Sequence, residues 1–354
     1  MPDFTPHEPP RATEAAPVAE RIGPEPEDFV VNELPLYPAT GAGEHWMFEL
    51  GKRGWTTPDA VKELARSAGV AEREIGHAGM KDRHAVTTQW MTLPARASAP
   101  DTWELPEGIS VMSYARHASK IRTGHLAANR FVIRLVGASA EGAARAQAIC
   151  DQIRSIGLPN YFGAQRFGRE GRNLQEALDW LAAGAPSRGK RTRFYRKLYP
   201  SVVQSELFNR YLTARRAKGL DRLLYGEVVR LEGSRSVFVV EDPDAEQPRL
   251  ESRDIHLTGP LPGPKMRAAA HEAFELEQAV ATDVGLTEKM AKTLSRCVDG
   301  TRRDLLVRPP HLEVRAGDDR DLVLEAVLPP GTYATQLLRE LLPTPWLQRG
   351  AEIG

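Results

Sequence analysis

The chain has 354 residues, more than one domain of ordinary size, and its 47 Lys and Arg balance 47 Asp and Glu. Zero net charge excludes a global basic field, so any nucleic-acid footprint must be local. Cys150 and Cys297 lie far apart without CxxC spacing, which argues against zinc and against a disulfide-stapled secreted scaffold. Without a signal-peptide core or an apolar run near the roughly 20 residues of a membrane span, we expect a soluble, cytoplasmic protein with no membrane partner.

The N-terminal region predicts a tail, two strands and a helix. Residues 1–20 are rich in Pro, Ala and Glu, which predicts a mobile tail. The segments FVVNELPL from residue 29 and HWMFELGKRGW from residue 45 predict short strands. A helix is predicted from Thr57 to Gly69, because Thr-Pro-Asp favours a helix start and Gly a stop.

Residues 76–90, GHAGMKDRHAVTTQW, place one carboxylate, Asp82, between two cations, Lys81 and Arg83. Neighbouring cations favour the ionised carboxylate, and the small residues before it leave room for a substrate. Residues 86–93 predict a strand, so Asp82 would lie at the end of a rigid element. Such a site suits a nucleophile or a base, although spacing alone leaves a turn former or helix cap open.

Residues 160–173, NYFGAQRFGREGRN, combine aromatics, arginines and glycines with Gln165. Bases stack on aromatic rings, guanidinium groups bind phosphates, and an amide can bind a base edge. This composition indicates a site for an unstacked nucleotide. The alternative is a loop around one buried aromatic cluster.

The rest of the chain alternates strands and helices. A strand is predicted at 131–136, helices at 140–156, 205–216 and 265–284, an irregular connection at 249–263, and a strand, turn and helix across 322–341. Composition becomes strongly basic at residues 188–197, which suggests a boundary there. The closing segment resembles the first domain more than the middle one, so the first domain is expected to be discontinuous.

Five cations and no acid occur between residues 116 and 134, namely Arg116, Lys120, Arg122, Arg130 and Arg134. The stretch could contact RNA phosphates. It could equally be a solvated face whose countercharges lie elsewhere in the fold.

Taken together, residues 76–90 and 160–173 make the chain resemble the TruD family of tRNA pseudouridine synthases. GMKDRHAVTTQ and NYFGAQRFG look like the two signature motifs of that family. Further matches are PEDFVVNE from residue 26, GEH from 43, YPSVVQSELFN from 199, GTRR from 300 and LPPGTYATQLLREL from 328. Together they cover roughly residues 26–342.

The resemblance implies an α+β fold in two domains. A pseudouridine-synthase catalytic domain with a mixed, mainly antiparallel sheet would carry an inserted α/β TRUD domain, with a cleft between them. We expect a disordered tail at 1–20, the catalytic domain at 21–185 and 309–343, the TRUD domain at 186–308, and a C-terminal tail at 344–354.

The resemblance further implies an isomerase that converts uridine 13 in the D arm of tRNA to pseudouridine. The substrate partner would be tRNA, and the protein would act as a monomer without a cofactor or a metal. The absence of Rossmann, P-loop and HExxH patterns agrees with that expectation. Two alternatives remain, an RNA-binding or tRNA-folding chaperone and a carboxylate-dependent nucleosidase.

The site residues follow from matching positions in the motifs. Asp82 would be the catalytic residue, either attacking the ribose carbon or removing a ribose proton to give a glycal. The uridine would be flipped out of its stack, and aromatic stacking would offset that cost. The substrate-binding candidates are Phe29, Phe162 and Tyr333 for stacking, Asn160 for the Asp82 turn or a base edge, Gln165 and Arg166 for the flipped nucleotide, and Lys81 beside Asp82.

One position departs from the family pattern. Many relatives have a lysine shortly before PEDF that is thought to pair with the catalytic carboxylate, whereas this chain has Gly23. Arg21, Lys81 or another cation would have to supply the charge. His84 could carry a proton, although a histidine in a turn is more often structural.

Overall fold

The structure is a computed structural model that describes residues 6–186, 192–318 and 320–343. Its strands are β1 (Arg21–Ile22), β2 (Phe29–Pro35), β3 (His45–Arg53), β4 (Gly76–His77), β5 (Val86–Pro94), β6 (Ile109–His117), β7 (Leu126–Val136), β8 (Leu158–Pro159), β9 (Val228–Leu231), β10 (Val237–Val239), β11 (Ile255–Leu261), β12 (Thr301–Asp304), β13 (Leu306–Val307), β14 (His311–Ala316) and β15 (Leu322–Leu328). Its helices are α1 (Thr57–Ala68), α2 (Gly142–Ile156), α3 (Arg172–Ala182), α4 (Thr192–Ala217), α5 (Pro243–Glu251), α6 (His271–Asp283), α7 (Glu288–Ser295) and α8 (Ala334–Leu341).

The described chain divides into two compact units. The large-sheet unit comprises residues 13–156 and 308–343, and the small-sheet unit comprises residues 6–12 and 157–307. After the change at residue 13, the chain passes from the large-sheet unit to the small-sheet unit at residue 157, whereas the expected boundary lies at residue 186. The reason is long-range pairing, because β8 pairs with β13 and ties the NYFG segment to the small-sheet unit.

A nine-stranded sheet forms the large-sheet unit. Its main path has the order β14-β15-β7-β2-β5-β3-β6, with β1 beside β7 and β4 beside β5. The β2–β5 pair is parallel, and the other pairs are antiparallel. This mixed, mainly antiparallel sheet confirms the predicted α+β class.

Helix α1 packs on this sheet as its sequence predicts. The Thr56 hydroxyl accepts a hydrogen bond from Asp59 N at 3.2 Å and caps the first turn. Gly69 ends the helix in the left-handed region at φ 66°. The buried stripe of α1, which includes Leu64, lies in one apolar cluster with Phe48 of β3.

The small-sheet unit contains an antiparallel sheet of order β10-β9-β11-β12. The expectation of an irregular connection at 249–263 was wrong, because α5 extends to Glu251 and β11 occupies Ile255–Leu261, pairing with both β9 and β12. Ile255 and Leu257 are buried on one face of the strand and Thr258 is buried on the other, so β11 is covered on both faces despite Pro260. Helix α4 is longer than the expected 205–216, whereas α6 starts later than residue 265.

The expected mobile tail at 1–20 is packed wherever the structure describes it. In the small-sheet unit, His7 N donates to Glu206 Oε1 at 3.0 Å. In the large-sheet unit, Thr13 N donates to Glu340 Oε2 at 2.9 Å, and Val18 and Ala19 are buried. Tertiary hydrogen bonds thus order a segment whose composition alone indicates disorder. Residues 1–5 and the expected C-terminal tail at 344–354 lie outside the described residues.

Among the helices that the structure describes, none is both long and apolar enough to cross a bilayer.

Candidate active site

Asp82 lies on the turn that leads into β5. Because β2 and β5 are parallel neighbours, with Val30 opposite Val86, both strands start at the same edge of the sheet. Phe29 is the first residue of β2, so it begins at the edge to which the Asp82 turn leads. The topology therefore brings two predicted site segments to one edge of the large-sheet unit.

Buried side chains fix the turn from below. The Thr57 hydroxyl accepts from Lys81 N at 2.9 Å and donates to Gln89 Oε1 at 2.9 Å. His77 Nδ1 lies 3.0 Å from the Gly79 carbonyl oxygen. These contacts connect the turn to α1, β4 and β5, so the main chain at Asp82 is held by rigid elements.

The Asp82 carboxylate has one oxygen engaged locally. Oδ1 accepts a hydrogen bond from His84 N at 3.0 Å, which is the geometry of a turn-forming Asp. Within the described residues, Oδ2 has no hydrogen-bond partner. Asp82 is half-buried, and its two followers, Arg83 and His84, are exposed. The carboxylate is both a turn former and a group with an oxygen left for a ligand.

The two flanking cations do not serve Asp82 as the sequence suggested. Lys81 Nζ lies 2.8 Å from Glu33 Oε2 in an ion pair whose side chains are 6% and 0% exposed. The same ammonium donates to Asn129 Oδ1 at 2.6 Å. Arg83 Nε instead donates to the Gly54 carbonyl at 3.1 Å. A different cation contacts the main chain of the Asp82 turn.

That group is Lys52, which the sequence analysis missed. Its Nζ donates to the carbonyl oxygens of Trp55 at 2.6 Å, Asp82 at 2.7 Å and Lys81 at 3.2 Å. Burial lowers the pKa of Lys52 to about 8, while the Asp82 charge acts in the opposite direction and the Lys81 charge adds to the lowering. The missed signal was alternation, since Lys52 continues the inward positions of Phe48 and Leu50 along β3.

Phe29 and Tyr333 both belong to the large-sheet unit. Phe29 is half-buried and makes an edge contact with Phe131, with ring centroids 6.1 Å apart. Tyr333 caps α8 on the turn that follows β15. The last residue of β15, Leu328, pairs with Asn129, the same residue that accepts from Lys81.

Asn160 is buried in the small-sheet unit. Its main-chain N donates to the Leu305 carbonyl at 2.9 Å, and its Nδ2 donates to the Asp304 carbonyl at 2.9 Å. Arg303 Nη2 donates to Asn160 Oδ1 at 2.5 Å. The amide is thus oriented by the GTRR segment, whose role the sequence analysis did not identify.

Phe162 is only 8% exposed. Its ring meets Phe208 edge-on at 5.6 Å, and the Arg303 guanidinium lies 4.2 Å from its centroid. Asn209 clamps the backbone here, accepting from Phe162 N at 2.8 Å and donating to Phe162 O at 3.1 Å. The small-sheet unit therefore gives Phe162 core packing as well as a cation–π contact.

Gln165 and Arg166 lie on a short 3₁₀ turn in the small-sheet unit. Gln165 is exposed, whereas Arg166 is half-buried with its guanidinium 5.5 Å from the Phe162 centroid. Arg166 Nε is buried without a hydrogen-bond acceptor among the described residues. A buried donor without an acceptor is costly, which is typical of a side chain that awaits a ligand.

Gly23 packs directly against Asp28. A Cβ at Gly23 would lie 2.1 Å from Asp28 Oδ2, so a lysine there would displace this carboxylate. Burial acts to raise the pKa of Asp28, but hydrogen bonds from Arg134 and from Glu25 N, helped by the Arg21 charge, hold it below its usual value. Arg21 therefore acts on Asp28, and among the described residues no hydrogen bond or ion pair joins it to Asp82.

Two cations of the basic stretch have their countercharges within the large-sheet unit. Arg130 Nε lies 2.7 Å from Glu325, and Arg134 contacts Asp28 at 2.6 Å and Asp321 at 2.8 Å. Arg122, in contrast, is exposed and has no carboxylate partner among the described residues. The stretch is thus partly an internal ion-pair network.

In the part of the chain that the structure describes, no group of three or more His, Cys, Asp or Glu side chains is placed to hold a metal ion.

The fold and the site residues define a class of protein. A mixed sheet presents a half-buried carboxylate on a fixed turn, and a second unit carries a loop of aromatics and arginines, features typical of an enzyme that acts on a nucleotide.

The comparisons identify the family. The family model described as tRNA pseudouridine synthase D (TruD) matches residues 10–184 and 192–341. The tRNA pseudouridine synthase D of Anaeromyxobacter sp. (strain Fw109-5) is 40% identical over 334 residues, covering 93% of this chain and 92% of that relative. The tRNA pseudouridine synthase D of Methylococcus capsulatus is 39% identical over 339 residues, covering 94% of each chain. This chain therefore belongs to the tRNA pseudouridine synthase D family, which confirms the resemblance read from its motifs.

A solved structure shows the same fold. The crystal structure of a protein assigned as tRNA pseudouridine synthase D from Methanosarcina mazei superposes with a TM-score of 0.72 at 23% identity, covering 96% of this chain and 97% of that one.

Proposed function

We propose that this protein is a tRNA-uridine isomerase that converts uridine 13 in the D arm of tRNA to pseudouridine. Membership in the tRNA pseudouridine synthase D family supports tRNA pseudouridylation as the reaction. The observation that carries the proposal is the Asp82 turn, which fixes the main chain through buried contacts and leaves Asp82 Oδ2 without a partner among the described residues.

The reaction exchanges one bond to the ribose for another. The C1′–N1 bond of the uridine breaks, the base turns in the pocket, and C1′ bonds to C5. The hydrogen on C5 leaves as a proton, and N1 gains a proton, so no electrons are transferred to or from the substrate. Asp82 either attacks C1′ as a nucleophile or removes the 2′ proton to give a glycal.

The uridine must leave its stack before Asp82 can reach the ribose, at a cost of a few kcal/mol. Phe29, Phe162 and Tyr333 are proposed to offset this cost, since each base–aromatic contact contributes about 1–3 kcal/mol. Phe29 is half-buried, and its ring keeps part of its surface for a ligand.

The direct polar substrate contacts are proposed to come from the small-sheet unit. Arg166 offers a buried donor without an acceptor, and the exposed Gln165 offers an amide for the flipped nucleotide. Asn160 can still donate its second amide N–H to a base edge. Lys81 supports the site indirectly, through the fixed turn.

Isotope release tests the reaction and the position together. The protein is incubated with tRNA transcripts labelled with tritium at C5 of uridine, one with uridine 13 and a matched one with cytidine 13. Isomerisation frees the C5 hydrogen, so tritium should appear in water with the first transcript and not with the second.

The same assay separates the two alternatives. A nucleosidase would release free uracil that keeps its label, and a chaperone would release neither uracil nor tritium. Release that persists with the cytidine 13 transcript would contradict the assigned position while leaving the reaction standing. We further propose that the enzyme acts in the cytoplasm as a monomer, which light scattering of the purified chain would check.

A further inference from the structure

Lys52 occupies a position where its strand calls for an apolar residue. Along β3 the inward side chains are Phe48 and Leu50, both 0% exposed, followed by Lys52 at 2%. Transfer of an ammonium ion out of water costs several kcal/mol unless hydrogen bonds replace its hydration. A buried lysine in this row therefore needs a reason.

The three donors of Lys52 are all directed at main-chain oxygens. Two of these oxygens belong to Lys81 and Asp82, and the third belongs to Trp55 in the turn between β3 and α1. An ammonium group has three N–H donors, so its capacity is fully used. Lys52 thereby joins the Asp82 turn to a second turn through main-chain oxygens and does not use either carboxylate oxygen of Asp82.

Among the cations considered for Asp82, Lys52 is the one whose charge is available to that carboxylate. Lys81 is committed to Glu33, Arg83 points to the Gly54 carbonyl, and Arg21 acts on Asp28. The negative charge of Asp82 acts to raise the pKa of Lys52, because unlike charges attract.

We propose that Lys52 is the positioning residue of the active site, a buried cation that fixes the main chain of the Asp82 turn and neutralises the carboxylate in place of the lysine missing at Gly23. The inference rests on the proposed function. Lys52 acts through Asp82, because its own donors are occupied by protein carbonyls.

A dependence on pH follows from the same contacts. Burial, with the Lys81 charge, lowers the pKa of Lys52 to about 8 against the attraction of Asp82. The residues paired with Lys52 across the sheet, Thr87 of β5 and Ile109 of β6, carry no charge. Above pH 8 the amine is neutral and has two N–H groups for three carbonyls, so the turn loosens and the rate of isomerisation should fall.

Deprotonation of Lys52 cannot lower the rate of isomerisation by unfolding the protein. The pKa of Lys52 in the folded protein lies below the usual lysine value of 10.5, so between about pH 8 and that value the unfolded chain binds more protons than the folded one. Stability contributed by this group therefore rises with pH over the window in which the rate falls.

The test compares Lys52→Met, Lys52→Arg and a matched control, Lys62→Met, which removes an exposed lysine from α1. Single-turnover isomerisation, tRNA affinity and melting temperature are measured from about pH 6 to about pH 9.5. Lys52→Met should bind tRNA with near wild-type affinity but lose about 100-fold or more in rate, because the carboxylate is misplaced. Lys52→Arg should recover about tenfold over Lys52→Met without the fall above pH 8, and Lys62→Met should match the wild type.

A rate for Lys52→Met within about threefold of wild type, or a wild-type rate that stays flat through pH 8 to 9.5, would overturn the inference. If Lys52→Met does not fold, the pH profiles of the wild type and Lys52→Arg decide.

Amide hydrogen exchange decides independently of activity. The amide hydrogens of residues 79–85 should exchange faster in a folded Lys52 variant than in Lys62→Met. Unchanged exchange would reject the proposal that Lys52 fixes the Asp82 turn. A wild-type protein that makes no pseudouridine would instead reject the proposed function, so the two failures are distinguishable.

Discussion

At the scale of single residues, the buried ion pair between Lys81 and Glu33 anchors the residue that precedes Asp82. Glu33→Gln keeps the shape but leaves the Lys81 ammonium buried without its countercharge. Breaking one partner of such a pair costs about 3–5 kcal/mol. We expect a loss of this size in the free energy of unfolding, measured by urea denaturation.

A matched control is Glu63→Gln, which removes the acid from an exposed helical pair with Arg66. Surface pairs contribute little, so its denaturation curve should overlay that of the wild type. Equal curves for Glu33→Gln and Glu63→Gln would mean that the buried pair does not stabilise the turn.

Two substitutions at Phe162 can distinguish stacking on the substrate from packing in the core. Because this ring is 8% exposed and contacts Phe208 and Arg303, Phe162→Ala should destabilise the protein by about 3 kcal/mol or more. Phe162→Leu retains most of the apolar volume and should cost about 1 kcal/mol. If the aromatic face binds the flipped base, the leucine variant should fold yet lose single-turnover rate. Full activity of a folded Phe162→Leu would leave only the core role.

At the scale of elements, the segment from β6 to β7 contains cations with two different duties. Arg122 is exposed without a carboxylate partner among the described residues, whereas Arg134 binds Asp28 and Asp321. If Arg122 contacts an RNA phosphate, Arg122→Ala should lower the slope of log affinity against log salt by about one. Filter binding over a range of salt concentrations measures this slope, and an unchanged slope would remove Arg122 from the RNA surface.

Arg134→Met should act on stability instead of salt dependence. The pKa of Asp28 is held below its usual value despite burial, so the stabilisation is present above the unfolded value near 3.8 and is lost as the pH falls through the folded value. The deficit of Arg134→Met should therefore be largest at neutral pH and shrink in acid, as followed by denaturation. A loss of stability in Arg134→Met that is the same at every pH would contradict the conclusion that Arg134 lowers the pKa of Asp28.

The elements also show what local sequence patterns can reveal. Capping residues and alternation predicted α1, β5 and β15 close to their observed bounds. The prolines of residues 249–263 indicated an irregular segment, so β11 was not predicted. Its pairing with β9 and β12 cannot be read from a local pattern. Long-range pairing is equally invisible to local patterns, since the β8–β13 ladder joins segments that are distant in the chain.

At the scale of the whole molecule, long ordered motifs identified the family, while individual side-chain roles needed coordinates. Asp82, Phe29 and Phe162 could be named from motif positions. Lys52 could not, because its role depends on carbonyl oxygens that come from another part of the chain. The expected cleft between two domains stays a prediction.

The central claim is that the negative charge of Asp82 performs the chemistry. Asp82→Asn is the most direct probe, because its Oδ1 can still accept from His84 N, so the turn is kept while the charge is removed. Single-turnover conversion of uridine 13, measured alongside tRNA affinity, should show unchanged binding and no detectable pseudouridine. Substantial conversion by this variant would contradict the account.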